Sequence, residues 1–220
     1  MISHRFDIID IIKCIKDSWH IFISTSAISL YTTSIAIILG FISGPIAVGY
    51  FNAANTIRSA AQNMLSPITQ ALYPHVNSLI VSDYRAALTL INKSLKIVGA
   101  ISFLGSCLLF ILAPEVIEIG IGKNYQESVD VLRIMAFVPC IVMLSNIFGV
   151  QTMLPLGYKK QFSKILVIGA ILNLSIIFPL IIMFSQNGAA LSLLITEIVV
   201  TILMFLFVKR KRIQIFQKGI

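Results

Sequence analysis

Of 220 residues, 57% are hydrophobic and only 12% charged, and 17 basic against 9 acidic side chains leave a formal net charge of +8. A soluble domain carries roughly a quarter charged residues, and a chain this short has no core large enough to hide so much apolar surface. The charge-free runs at 18–57, 97–114, 134–158 and 165–196 are long enough to hold several bilayer-spanning helices, each of which needs ~20 mainly apolar residues, so a polytopic membrane protein is expected.

The chain opens on "RFDIIDIIKCIKDSW", where Ile8, Ile12, Ile15 and Trp19 recur at helical spacing among Asp7, Asp10, Lys13, Lys16 and Asp17. That pattern suits an amphipathic interfacial helix over 1–18, a connector rather than a frayed tail. It lacks the apolar stretch behind a basic start that marks a secretory signal. Six spans are expected to follow, at 19–43, 47–73, 95–113, 131–154, 164–184 and 189–208, and then a basic tail at 209–220. Gly44-Pro45 supplies a helix-breaking turn between the first two spans. Pro114 ends the third, and "SQNG" (185–188) divides the last two. The runs are continuous, without the alternation of a membrane β-strand, so the fold class is all-α.

Orientation follows from the cations. Arg5, Lys13 and Lys16 precede the first span, Arg85, Lys93 and Lys96 follow the second, and Lys159, Lys160 and Lys164 follow the fourth. Lys209, Arg210, Lys211, Arg212 and Lys218 follow the sixth, and Lys123 alone falls on the other side. The positive-inside rule then places both termini in the cytoplasm. The positive charge is thereby a matter of topology, and no nucleic-acid partner is expected.

Enzyme chemistry finds no foothold. Cys14, Cys107 and Cys140 are far apart, and His4, His20 and His75 lack metal-ligand spacing. No nucleophile elbow and no Gly-rich phosphate loop is present. No catalytic residue, metal or cofactor is expected. The sequons "NKS" (92–94) and "NLS" (173–175) fall in a cytoplasmic loop and inside a span.

The second span is unusual in its polarity: "NAANTIRSAAQNMLSPITQ" covers 52–70. At 100° per residue, Asn52, Asn55, Ser59, Gln62, Asn63, Ser66, Gln70, Tyr73 and Asn77 lie within an arc of roughly 100°, flanked by Arg58. Ile57, Ala61, Met64, Ile68 and Leu72 take the opposite side. Lipid offers amides and hydroxyls no partners, so such a stripe lines a wet cavity or else glues helices together. Its length, over five turns, favours the cavity. Pro67 and Pro74 are expected to bend the helix or end it. Ser24, Ser26, Ser29, Thr32 and Thr33 in the first span suit either a lumen wall or packing.

Arg58 stands roughly 16 Å inside its span at 1.5 Å per residue, and Glu197 lies at comparable depth. Ionisable residues so placed point to a pathway or a paired charge. Arg58 is expected to bind an anionic substrate, with Glu197 either a coupling group or the partner of Arg58.

"HIFISTSAISLYTTSIAIILGFISGPIAVGYFNAANTIR", "SPITQALYP" and "YKKQFSKILVIG" closely resemble the O-antigen (Wzx-type) flippases of the multidrug/oligosaccharidyl-lipid/polysaccharide exporter superfamily. The resemblance covers nearly the whole chain. It implies flipping of undecaprenyl-diphosphate-linked O-antigen units across the inner membrane for lipopolysaccharide assembly, among inner-membrane lipids. It also implies a twelve-helix, two-lobed fold in which this chain corresponds to the second lobe, the N-terminal lobe being its missing partner. In that setting Arg58 matches the basic lumen residue a diphosphate requires. Two other readings are a cation-coupled exporter of small amphiphiles, which calls for a stronger acid cluster than Glu197, and a membrane-integral glycan polymerase. The latter calls for a large outward catalytic loop, and 114–130 is short for one.

Overall fold

A computed structural model describes residues 8–213, with side chains from Trp19 onward. The chain forms α1 (Ile8–Ser82), α2 (Tyr84–Ile111), α3 (Ala113–Gly120), a 3-10 turn (Lys123–Tyr125), α4 (Glu127–Met135), α5 (Val138–Phe148) and α6 (Lys159–Arg210). α5 continues as a π-helical segment, Gly149–Met153. No strand occurs among the described residues, and four helical stretches are long and apolar enough to cross a membrane.

Two of those stretches are hairpins. α1 breaks at Gly44 (φ 82°, ψ 176°), a backbone conformation glycine adopts without a Cβ penalty. A Cβ on Gly40 would lie 3.3 Å from Val48 Cγ2, whereas eight residues along a straight helix span about 12 Å. The arms therefore double back. α6 breaks at Ser185 (φ 49°, ψ −126°). There the chain returns so closely that a Cβ on Gly188 would collide with the Leu180 carbonyl oxygen. With these two turns, foreshadowed by Gly44-Pro45 and "SQNG", the long helices resolve into six arms.

The boundaries differ from expectation in three places. The second arm of α1 runs on to Ser82 rather than ending near 73, so neither Pro67 nor Pro74 terminates it. A proline leaves the carbonyl four residues earlier without its N–H partner. For Pro67 that is the Asn63 carbonyl, and Ser66 Oγ donates to it at 3.1 Å, a replacement typical of membrane helices. The expected 131–154 span is interrupted at Ala136–Phe137, because Pro139 near the start of α5 supplies no N–H to the preceding turn. Pro114 does end the third span, but by opening α3 from its first turn. α2 begins earlier than 95, capped by Asp83, whose side chain accepts from the Ala86 N–H at 3.0 Å.

α1 is helical from Ile8 straight into the first arm. The amphipathic face assigned to 1–18 and the tail beyond 213 lie outside the described side chains.

The core lies between the arms of α1 and α6, with α4 and α5 against them; Tyr31, Ile35, Leu39, Met135, Ile147, Ile177 and Met204 are fully enclosed. Small residues let helices approach, as membrane packing requires. A Cβ on Gly169 would come 2.5 Å from Val200 Cγ2, and one on Gly149 2.6 Å from the Phe162 ring. At one end of the lobe Tyr50 meets Tyr125 edge-on at 6.0 Å, joining the Gly44 turn to the 3-10 segment. At the other end Ser24 and Ser163 hydroxyls bond at 2.8 Å, and Tyr158 packs edge-on against Phe207 at 5.2 Å. Phe22, Phe41, Ile46, Phe103, Leu104 and Ile182 stand exposed, the surface lipid would cover.

Candidate functional site

Tyr31, Arg58 and Glu197 each stand about a dozen residues from the nearest break, roughly 18–21 Å along their arms at 1.5 Å per residue. All three therefore lie at mid-depth. They belong to three different arms.

The guanidinium of Arg58 is held by its own helix. Nε and Nη2 both donate to Asn55 Oδ1, at 3.0 and 2.7 Å. Nη1 donates to Gln62 Oε1 at 2.7 Å and Nη2 to Ser59 Oγ at 2.8 Å. Residues three and four apart share a helix face, so Asn55, three before Arg58, and Gln62, four after it, build this cradle directly, and the adjacent Ser59 adds its hydroxyl. The four side chains are half-buried, at the edge of the lobe.

Asn52, Asn63 and Gln70 extend the same face and are exposed; they do not bond the Arg58 cluster. Every hydrogen bond made by the stripe's side chains stays within α1. The stripe therefore does not glue helices inside this lobe. Its amides point out of the bundle, at a depth where the lobe's other exposed surface is mostly apolar. In the first arm, Ser24 is buried and bonded to Ser163, a packing role, whereas Ser29, Thr32 and Thr33 are exposed.

Glu197 is buried, and it accepts a hydrogen bond from Tyr31 Oη at 2.7 Å. Arg58 and Glu197 are within electrostatic reach of each other, yet form no ion pair. Lys123 pairs with Glu118 at 3.3 Å and Arg133 with Asp130 at 4.0 Å, both near the lobe's end. A direct Arg58–Glu197 bridge, one of the two expected roles, is thus absent.

Tyr31 is the partner that sequence reading overlooked. The available signal was a single phenol inside an apolar run, "SLYTTS", at the depth of Glu197. A second overlooked cluster joins the arms of α6, where Asn173 Nδ2 donates to Thr196 Oγ1 at 2.9 Å and to the Ser192 carbonyl at 3.3 Å.

Fold and site together define a multi-pass helical membrane protein with a polar, arginine-bearing face at mid-depth. Residues 3–80, which contain that face, match the family described as polysaccharide biosynthesis protein. The chain is 49% identical over 201 residues to a protein of Escherichia coli K12 and 34% identical over 204 residues to one of Shigella dysenteriae, both named "Putative O-antigen transporter". These alignments take in 91% and 93% of this chain but 48% and 51% of the relatives. A capsular polysaccharide biosynthesis protein, CapF of Staphylococcus aureus, is 26% identical over 190 residues, 84% of this chain and 47% of CapF. These matches support the family that the resemblance implied. It spans about half the length of the curated relatives it matches. No solved structure matches it.

Proposed function

We propose that this chain is one lobe of a flippase that carries undecaprenyl-diphosphate-linked O-antigen units across the bacterial inner membrane. The observation that carries the reading is the outward-facing amide stripe around Arg58. Polar groups at mid-membrane need partners that lipid cannot give. A cavity between this lobe and a second, N-terminal one supplies them with water, and in transit with sugar hydroxyls. In this reading 1–18 is the interfacial connector, 19–208 the six-span lobe and 209–220 a cytoplasmic tail, with both termini in the cytoplasm.

Within that cavity Asn52, Asn55, Ser59, Gln62, Asn63 and Gln70 exchange water for sugar hydroxyls. Arg58 meets the diphosphate, since a guanidinium fork grips phosphate through two parallel hydrogen bonds. The Asn55 and Gln62 amides that hold the fork are neutral acceptors, weaker than a phosphate oxygen. They keep Arg58 extended and are displaced without leaving a buried charge. Glu197, anchored by Tyr31, sits behind the wall as the candidate coupling group.

The test is a chimera in which this chain replaces the segment it matches in the Escherichia coli relative. It is expressed in a strain whose O-antigen display depends on a transporter of this kind. Restored display supports the assignment. A chimera that inserts at normal levels, yet accumulates lipid-linked units on the inner leaflet, refutes it.

A further inference from the structure

The arm that carries Arg58 also walls an apolar groove. About 320 Å³ of open space lies between the second arm of α1 and α2, lined by Ala61, Met64 and Leu65 on the arm, Gly105 and Leu108 on α2, and Pro139 of α5. That volume falls in the range of small-molecule sites. Met64 stands exposed at the groove's lip, an adaptable side chain for an irregular occupant.

Arg58 stands on the seam between this groove and the amide stripe. At 100° per residue, Gln62 and Asn55 lie about 40° and 60° from it to one side, and Leu65 and Ala61 lie about 20° and 60° to the other. Ala61 is roughly 4.5 Å further along the axis. One guanidinium thus has polar acceptors on one flank and an apolar groove on the other.

The groove is short along the membrane normal. Toward Asp83 it runs no further than Leu65 and Ile101, and beyond them Val76 on the arm and Ile91 on α2 are fully enclosed. Toward the outward end it stops at Leu112 and Val116, where α2 gives way to α3. Phospholipid chains descend from the headgroups along the normal, a direction in which this groove is closed. A chain whose own headgroup sits beside Arg58 starts at the groove's level and enters from the side. Gly105 widens the wall at this point, since a Cβ there would meet nothing within 4 Å, which leaves room for a methyl-branched chain.

We infer that the groove seats the isoprenoid tail of the lipid-linked unit, through the isoprene units nearest its diphosphate. The inference rests on the proposed reading of Arg58 as the diphosphate site. It divides the amphiphile at the seam: sugars toward the stripe, phosphates on Arg58, hydrocarbon in the groove.

The full chain is reconstituted in phosphatidylcholine vesicles holding a trace of a polyprenyl diphosphate with a diazirine on an isoprene unit near the diphosphate. A parallel sample holds phosphatidylcholine with a diazirine in the middle of an acyl chain. After photolysis, the polyprenyl probe should label 61–65 and 101–112 in preference to the exposed apolar residues Phe41 and Ile182. The phosphatidylcholine probe should show no such preference, and excess unlabelled undecaprenyl diphosphate should compete the groove labelling away. Gly105→Leu fills the space without a clash, so it should lower groove labelling about tenfold or more at unchanged thermal stability. Arg58→Gln should lower it as well, because the tail then has no anchored headgroup. The same labelling pattern from both probes, or undiminished labelling in Gly105→Leu or in Arg58→Gln, would overturn the inference. An unlabelled groove in a chain whose chimera restores O-antigen display would overturn it too, and would leave the flippase reading standing. Specific groove labelling in a chain whose chimera restores no display supports the groove and counts against that reading alone.

Discussion

Tyr31 Oη donates to Glu197 Oε1 at 2.7 Å, tying the first arm of α1 to the second arm of α6 in the middle of the lobe. Removing the hydroxyl leaves a buried carboxylate without its donor, which costs about 1–3 kcal/mol. Glu197→Gln keeps an oxygen that accepts the same bond. Tyr31→Phe should therefore lower the melting temperature of the purified chain more than Glu197→Gln does, as read by thermal denaturation in detergent. The reverse order would show that the bond does not hold the arms.

The close approach of α6 to itself gives a second expectation. A methyl at Gly169 would sit 2.5 Å from Val200 Cγ2, and overpacking of this kind costs about 1–3 kcal/mol. Gly169→Ala should lower the melting temperature and the folded yield. Val200→Ala removes the obstructing methyl, so the double variant should recover most of the loss. A double variant as unstable as the sum of the two singles would show that this contact is not the cause.

Sidedness is testable without transport. The Tyr50–Tyr125 contact places the Gly44 turn and the 3-10 segment at one end, and the Tyr158–Phe207 contact places both ends of α6 at the other. Reporter fusions after Ile220 and near Lys123 should therefore report opposite faces of the membrane, the first cytoplasmic. Fusions reporting the same face would contradict the six-arm arrangement.

Much of this fold was legible because apolar length and helix-breaking pairs are local properties. Gly44-Pro45 and "SQNG" mark both hairpin turns, and the 3.6-residue period collects Asn55, Ser59 and Gln62 beside Arg58. What escaped was decided by neighbours. Pro74 looked like a terminus, yet the helix continues to Ser82. Pro139, which lies inside an apolar run, splits α4 from α5. The pairing of Glu197 with Tyr31, 166 positions away, depends on how two hairpins register. Neither periodicity nor composition carries that information.

Arg58 is expected to act through geometry as well as charge. Lysine keeps the cation but loses the planar fork that engages two phosphate oxygens. In the chimera with the Escherichia coli relative, Arg58→Lys should retain part of the O-antigen display, and Arg58→Gln should abolish or sharply reduce it at normal membrane levels. Equal display in the two variants would remove any role for the fork.

The most direct measurement compares Arg58→Gln with the double variant Arg58→Gln, Glu197→Gln, by flipping of a radiolabelled undecaprenyl-diphosphate oligosaccharide in vesicles bearing that chimera. Arg58 is held by Asn55, Ser59 and Gln62, and Glu197 by Tyr31, with no ion pair between them. An arginine that serves the substrate is not replaced by neutralising Glu197, so the double variant should flip no better than the single. Recovery of flipping in the double variant, or full flipping in Arg58→Gln itself, would contradict a substrate-binding role for Arg58.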